Sequence, residues 1–387
     1  MRPAEASIPG ADFTAPLSAQ EAQHAVAAAQ ARQEVQRQAL SNQLGAIDPK
    51  RLPLTPSVYV AETGHHLSNR SGFLSFWRAN GQQLLFGYPI TEELVENGRI
   101  VQYFERARFE FHPESRTVPV QLGLIGTDLV AVNGLTPTIS PAFAAVPPPQ
   151  SSASFFPETQ HTVSGEFRRY WERHGGIAIF GFPISEELVE DGRTVQYFER
   201  ARMEWWPEDM DSFFRNQEAT HSFNLNTLYE VRVSDVGRRL ATARGISIAP
   251  VEQLDGTAIW GPAIWDRHID VNLSTQQLVA YEGDLAVWQA PVATGRDGFN
   301  TPTGEFAIYY RVPMQDMSGS MGGESWYVPH IPWVQYIVGG VAFHGTYWHD
   351  AHGTGVRMSH GCVNLRIDDA EWLYAWADVG TAVSIHY

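Results

Sequence analysis

Residues 343–365 read FHGTYWHDAHGTGVRMSHGCVNL and hold the one cysteine of a 387-residue chain, Cys362. His360 and Gly361 stand directly before it, and His344 stands eighteen residues before it. A thiol attacks carbonyl carbon as thiolate, and a free cysteine, with a pKa of about 8.5, is mostly protonated at neutral pH. A neighbouring imidazole that takes the proton removes that obstacle. Gly361 places no side chain beside the nucleophile, so backbone N–H groups can face a developing oxyanion. Two plainer readings compete. A lone buried cysteine is often only a small core hydrophobe. The histidines His344, His349, His352 and His360 form a cluster of zinc-ligand type, but the chain has no CxxC or HExxH pairing.

The two halves of this stretch, His344-Gly345-Thr346 and Ser359-His360-Gly361-Cys362-Val363-Asn364-Leu365, resemble the active site of the L,D-transpeptidases, the YkuD-type catalytic domain. The resemblance runs from about Arg267 to Tyr387. It implies a mainly β, sandwich-like catalytic domain with a short helix behind the nucleophile loop. Carried over residue by residue, it makes Cys362 the nucleophile and His344 the general base and acid. The backbone carbonyl of Gly345 would orient His344, and the backbone N–H groups of His360, Gly361 and Cys362 would form the oxyanion hole. Ser359 and Asn364 would shape the loop or touch substrate. The family's flap corresponds to the Gly- and Ser-rich stretch 314–333, here expected to be a mobile loop, with Trp326, Tyr327 and Trp333 as substrate contacts. Thr294-Gly295 and Thr301-Pro302-Thr303-Gly304 resemble a scaffold element of the family near the site.

The implied function is peptidoglycan cross-linking: an acyl-enzyme forms with a donor stem peptide and passes to an amine of an acceptor stem, without metal or organic cofactor. An L,D-carboxypeptidase, with water as acceptor, would use the same acyl-enzyme. A wall-binding protein with an inactive catalytic domain is the reading from another class. Each would place the protein in the bacterial cell envelope or outside the cell.

Net charge narrows the partners. At −16 the chain would be repelled by nucleic-acid phosphates. A single cysteine excludes internal disulfides. The sequence has no apolar run long enough to predict a transmembrane helix. Its first residues lead into no apolar signal segment, so an export signal is expected outside this sequence.

Upstream, residues 1–52 read as a flexible start followed by one long helix from Ser18 to Leu44, opened by a Ser18/Glu21 capping box. Its apolar face is mostly alanine, and the expectation is a solvated helix. Residues 76–114 and 170–208 are two copies of one pattern at an offset of 94, sharing Trp77/Trp171, Gly87/Gly181, Pro89/Pro183, Gly98/Gly192, Gln102/Gln196 and Glu105/Glu199. Each copy predicts an amphipathic helix, a Phe-Gly-aromatic-Pro turn, and a hairpin turning at Asn97-Gly98 or Asp191-Gly192. The copies weakly resemble LGFP-type repeats of exported wall-associated proteins, which would imply attachment to wall polymer through aromatic residues. A core role for those aromatics is the competing expectation. The predicted organisation is repeat unit 1 at 53–135, a Pro/Ser-rich linker at 136–157, and repeat unit 2 at 158–222. A connecting segment at 223–266 and the catalytic domain at 267–387 follow. Asp368 with Glu371 reads as a capping box opening a helix over 369–377.

Overall fold

The computed structural model describes residues 18–45, 56–150, 153–209, 213, 231–262, 264–321 and 323–387. Parts of the expected flexible start, linker and connecting segment lie outside these residues. Among those described, 18–39, 213 and 262–387 make one compact unit, and 40–45, 56–209 and 231–261 make another. No helix of the described residues is long and apolar enough to cross a membrane.

The catalytic unit is a two-sheet sandwich. One sheet begins as the expected meander, Arg267–Asn272, Gln277–Glu282 and Leu285–Pro291. The C-terminal strand Ala382–His386 lies parallel to its first strand, and Gly304–Ala307 closes the far edge. The second sheet orders Tyr310–Met321, Glu324–Val338, Val341–Gly345 and Val363–Leu365. Alternating side chains from both inner faces, among them Ile269, Val271, Leu278, Ile337, Phe343, Val363 and Leu365, fill one core, as a period-2 pattern requires. The helix Ile367–Trp376 seals it through Trp372, Leu373 and Trp376.

Three expectations need correction here. The stretch 314–333 is no loop: it is a long antiparallel ribbon, paired from Tyr310↔Tyr336 to Met321↔Glu324. Gly319 serves the ribbon by leaving room, since a Cβ there would lie 2.2 Å from the Trp326 ring. The helix near the C-terminus starts at Ile367 with Arg366 at its N-cap and no side-chain cap; Asp368 lies inside the first turn and is buried. The N-terminal helix, Ala19–Gly45, opens with the expected box, Glu21 N–H donating to Ser18 Oγ and Ser18 N–H to Glu21 Oε2. It is not solvated all round. Ala22 and Val26 pack against the outer face of the second sheet, in the cluster with Tyr336, Ala342 and Cys362, and Ala29 is buried beside Gly380. Positions 22, 26 and 29 share one helix face, and alanine allows close approach.

In the other unit the two copies build matching sheets, Leu94–Glu96, Arg99–Tyr103 and Arg108–Phe111 against Leu188–Glu190, Arg193–Tyr197 and Arg202–Trp205. Both central residues of each hairpin turn have positive φ (Asn97 50°, Gly98 76°; Asp191 50°, Gly192 78°), the geometry that fits strand twist. The shared aromatics are core: Trp77, Tyr103, Phe104, Tyr197 and Phe198 are all but inaccessible, and Trp77 and Trp171 donate to the carbonyls of Gly87 and Gly181.

The repeat also extends further than the sequence pattern showed. Val231–Val233 pairs with the second sheet (Met203↔Val233) as Val120–Leu122 pairs with the first (Phe109↔Leu122). The second copy therefore carries an insertion, after which the two resume at an offset of 111. Each then ends in a helix, Ile125–Val132 or Val236–Ala243, that docks on the other copy. Gly126 N–H and Thr127 N–H donate to the Glu199 carbonyl, and Arg238 N–H to that of Glu105. Helix N-termini leave such N–H groups without intrahelical partners, and each copy supplies the acceptor for the other. A Cβ on Gly126 would lie 1.9 Å from the Phe198 carbonyl oxygen, and one on Gly237 2.0 Å from that of Phe104. Gly126→Ala or Gly237→Ala is expected to destabilise this unit by about 1–3 kcal/mol through overpacking, read as a lowered urea midpoint with an unchanged slope.

Candidate active site

The strand Val341–Gly345 delivers His344, and the parallel strand Val363–Leu365 begins directly after Cys362. Register pairs His344 with Asn364, so both side chains point to the same face. The turn that presents Cys362 is braced by hydroxyls. Ser359 Oγ donates to the Cys362 carbonyl at 2.6 Å and accepts Gly361 N–H at 3.1 Å. Thr301 Oγ1 donates to the Gly361 carbonyl at 2.8 Å and accepts Gly295 N–H at 2.9 Å. Gly361 has φ +120°, a conformation an L side chain rarely takes. The Thr294-Gly295 and Thr301 elements of the sequence pattern thus meet at the nucleophile turn.

Cys362 and His344 line one pocket together with Met317, Trp326, Val328, Ile331, Trp348, Met358, Ser359, His360 and Asn364; it has about 100 Å³ of space for water-sized molecules. The Cys362 thiol is buried, and burial pushes its pKa up to about 12. Burial likewise pushes His344 down to about 4, against the raising effect of its bond to Gly345. That bond, His344 Nδ1 to the Gly345 carbonyl at 3.1 Å, requires the proton on Nδ1 and leaves Nε2 with a free lone pair. At rest the thiol and imidazole are therefore both neutral.

The other sequence candidates divide. Gly361 N–H is taken by Ser359 Oγ, so of the three N–H groups expected for an oxyanion hole this one is already engaged. The His360 ring stacks on Trp326 at 3.9 Å and 12° and contacts Phe299 edge-on. Arg296 reaches both His360 Nε2 and Glu324 on the ribbon, so the ribbon tip is tied to the nucleophile turn. Of the three flap residues only Trp326 lines the pocket. Tyr327 is exposed and donates to Asp316. Trp333 packs on Tyr374 and the sandwich core, because its φ of 60° turns the strand locally. Met317, Val328, Ile331, Trp348 and Met358 are pocket residues that sequence reasoning did not single out; they come from separate segments, and no local pattern joins them. Among the described residues, no group of three or more His, Cys, Asp or Glu is placed to hold a metal ion.

Burial lowers the pKa of both His344 and His352 to about 4. The unfolded chain, near 6.5, binds these protons first. Stability is thus full above about pH 6.5 and is lost as pH falls toward 4. Urea midpoints are expected to drop steadily over that window. A flat profile would show that these rings are not buried as neutral groups.

Residues 266–385 match the YkuD family, described as the L,D-transpeptidase catalytic domain. No curated protein sequence matches the chain. Solved structures similar to it include a fused Zn-dependent amidase/peptidase/peptidoglycan-binding domain-containing protein from Clostridium acetobutylicum (20% identity, 31% of this chain and 52% of that one, TM-score 0.25). Others are an L,D-transpeptidase from Mycobacterium smegmatis (16%, 48% and 91%, 0.29) and the catalytic domain of the E. faecium L,D-transpeptidase (23%, 32% and 98%, 0.29). The chain thus spans about half of the first of these and nearly all of the other two. Residues 266–385 of this chain are a YkuD-type L,D-transpeptidase catalytic domain.

Proposed function

We propose that this chain is a cysteine acyltransferase that cross-links peptidoglycan stem peptides, and that it works in the cell envelope or outside the cell, where those peptides are. The observation that carries this reading is that a buried thiol and a histidine whose Nε2 lone pair is left free line the same pocket. Cys362 Sγ attacks the carbonyl carbon of the bond between the third stem residue and a terminal D-residue. His344 Nε2 takes the thiol proton, and the oxyanion faces the N–H groups of His360 and Cys362. Collapse breaks the C–N bond while His344 returns the proton to the leaving amine. The thioester is then attacked by an amine of a second stem; His344 removes the amine proton and returns it to the departing thiolate. The apolar lining from Met317, Val328, Ile331 and Trp348 offers water few hydrogen-bond partners, which favours an amine over hydrolysis. In this reading the two repeats space the enzyme from its surroundings, since their shared aromatics are spent on their own core.

The neutral resting pair sets the pH behaviour. The base form of His344 exists above about pH 4 and the thiol below about pH 12, so proton transfer accompanies attack rather than preceding it. The acylation rate is expected to be flat between about pH 5.5 and 9. A midpoint near 6.5 would instead indicate a preformed thiolate–imidazolium pair. Intact mass after incubation with a carbapenem should show one adduct on the wild type and none on Cys362→Ala. Stem-peptide fragments offered with an acceptor amine should give the cross-linked product. Hydrolysed donor alone would reassign the chain as an L,D-carboxypeptidase, and no adduct on folded wild type would overturn the acyl-enzyme.

A further inference from the structure

His349 belongs to no part of the mechanism above, yet its ring sits between the backbone and a pocket residue. Ala351 N–H donates to His349 Nδ1 at 3.2 Å. A ring nitrogen that accepts carries no proton, so the neutral ring holds its proton on Nε2. Burial lowers the His349 pKa, which keeps the ring neutral at ordinary pH. Nε2 is therefore a donor, and it lies 2.9 Å from the side-chain amide of Asn364.

This fixes which way that amide points. With the –NH₂ group toward Nε2, two donors would oppose each other, and the Asn364 oxygen would be buried with no hydrogen-bond partner among the described residues. A buried acceptor of this kind is costly. With the amide flipped end for end, the oxygen accepts from His349 Nε2–H, so the opposed donors are gone, and the –NH₂ group takes the position that has no partner among the described residues. Asn364 is 1% exposed and lines the pocket. Its backbone is fully engaged, N–H and carbonyl both bonded to Ala293. Asn364 is paired with His344 across the two strands, so the amide lies on the same sheet face as the His344 ring.

We propose that His349 is a positioning residue that holds the Asn364 amide with its N–H bonds toward the pocket, where they donate to a carbonyl or carboxylate oxygen of the acyl donor beside the leaving amine. The inference rests on the acyl-transfer reading for its substrate. It adds a second polar anchor, besides the oxyanion donors, to a pocket otherwise lined mainly by apolar side chains.

Two measurements on the full chain test it. A two-bond ¹H–¹⁵N spectrum of the resting protein reads the tautomer of His349 directly; the expected signal is an Nε2–H ring, and an Nδ1–H ring overturns the proposal whatever the activity. The second compares His349→Gln, which keeps an N–H near the Nε2 position, with His349→Glu, whose carboxylate only accepts and turns the Asn364 oxygen to the pocket. Donor-peptide acylation is expected to stay within about threefold of wild type for the glutamine variant and to fall at least about tenfold for the glutamate variant, mostly in KM. Equal rates in the two variants overturn the positioning role. If wild type forms no acyl-enzyme while His349 shows Nε2–H, the transpeptidase reading fails and takes the substrate contact with it. An active wild type with Nδ1–H fails this proposal alone.

Discussion

One serine hydroxyl holds the catalytic turn together. Ser359 Oγ binds the N–H of Gly361 and the carbonyl of Cys362 at once, so three consecutive peptide units are fixed by a single side chain. Thr301 adds the Gly361 carbonyl from another segment. The φ of Gly361 is one that glycine takes freely, so the brace selects this turn from the many that glycine allows. From that fixed turn follow the placement of Cys362 at the mouth of a strand, the alignment of Asn364 with His344, and the stacking of His360 under Trp326. His344 and Asn364 are anchored to sheet backbone, and the bend carrying His360 and Cys362 is pinned to it by Ser359 and Thr301, the kind of support that gives a site its precision.

The neutral state of the thiol and imidazole is the electrostatic counterpart of that rigidity. Burial disfavours both charged forms, so a resting ion pair has nothing to stabilise it among Met317, Val328, Ile331 and Trp348. In the proposed reaction, charge would appear only when a substrate carbonyl is present to accept it.

What could be read from sequence followed the range of the interactions. The meeting of Cys362 and His344 in one pocket and the meander from Arg267 were legible because each depends on a short motif or on a period-2 pattern. The hairpins at Asn97-Gly98 and Asp191-Gly192 were legible because the turn chemistry is local. The ribbon over 310–338 was hidden by its glycines and serines, which read as loop until the partner strand is known. The helix start at Ile367 was misplaced because Asp368 and Glu371 satisfy a local capping rule that burial of Asp368 overrides. The docking face of the N-terminal helix carries little apolar signal, being mostly alanine. The end of the second repeat was lost to an insertion that shifts the offset from 94 to 111. In these misses the deciding information is a partner or a burial that the local pattern does not carry.

The helix exchange between the two repeats bears on how this chain folds. Ile125 and Leu129 share a core cluster with Val195 and Tyr197, and Val236 and Leu240 share it with Val101 and Tyr103. The second set of contacts joins residues more than 130 positions apart. Such wiring makes loop closure slow and keeps both copies incomplete until both have been synthesised. A ribosome-bound chain holding only the first copy therefore carries an uncapped sheet and an unpartnered helix. The duplication behaves as one indivisible folding unit, and shortening the protein by a single copy would leave an open half rather than a smaller domain.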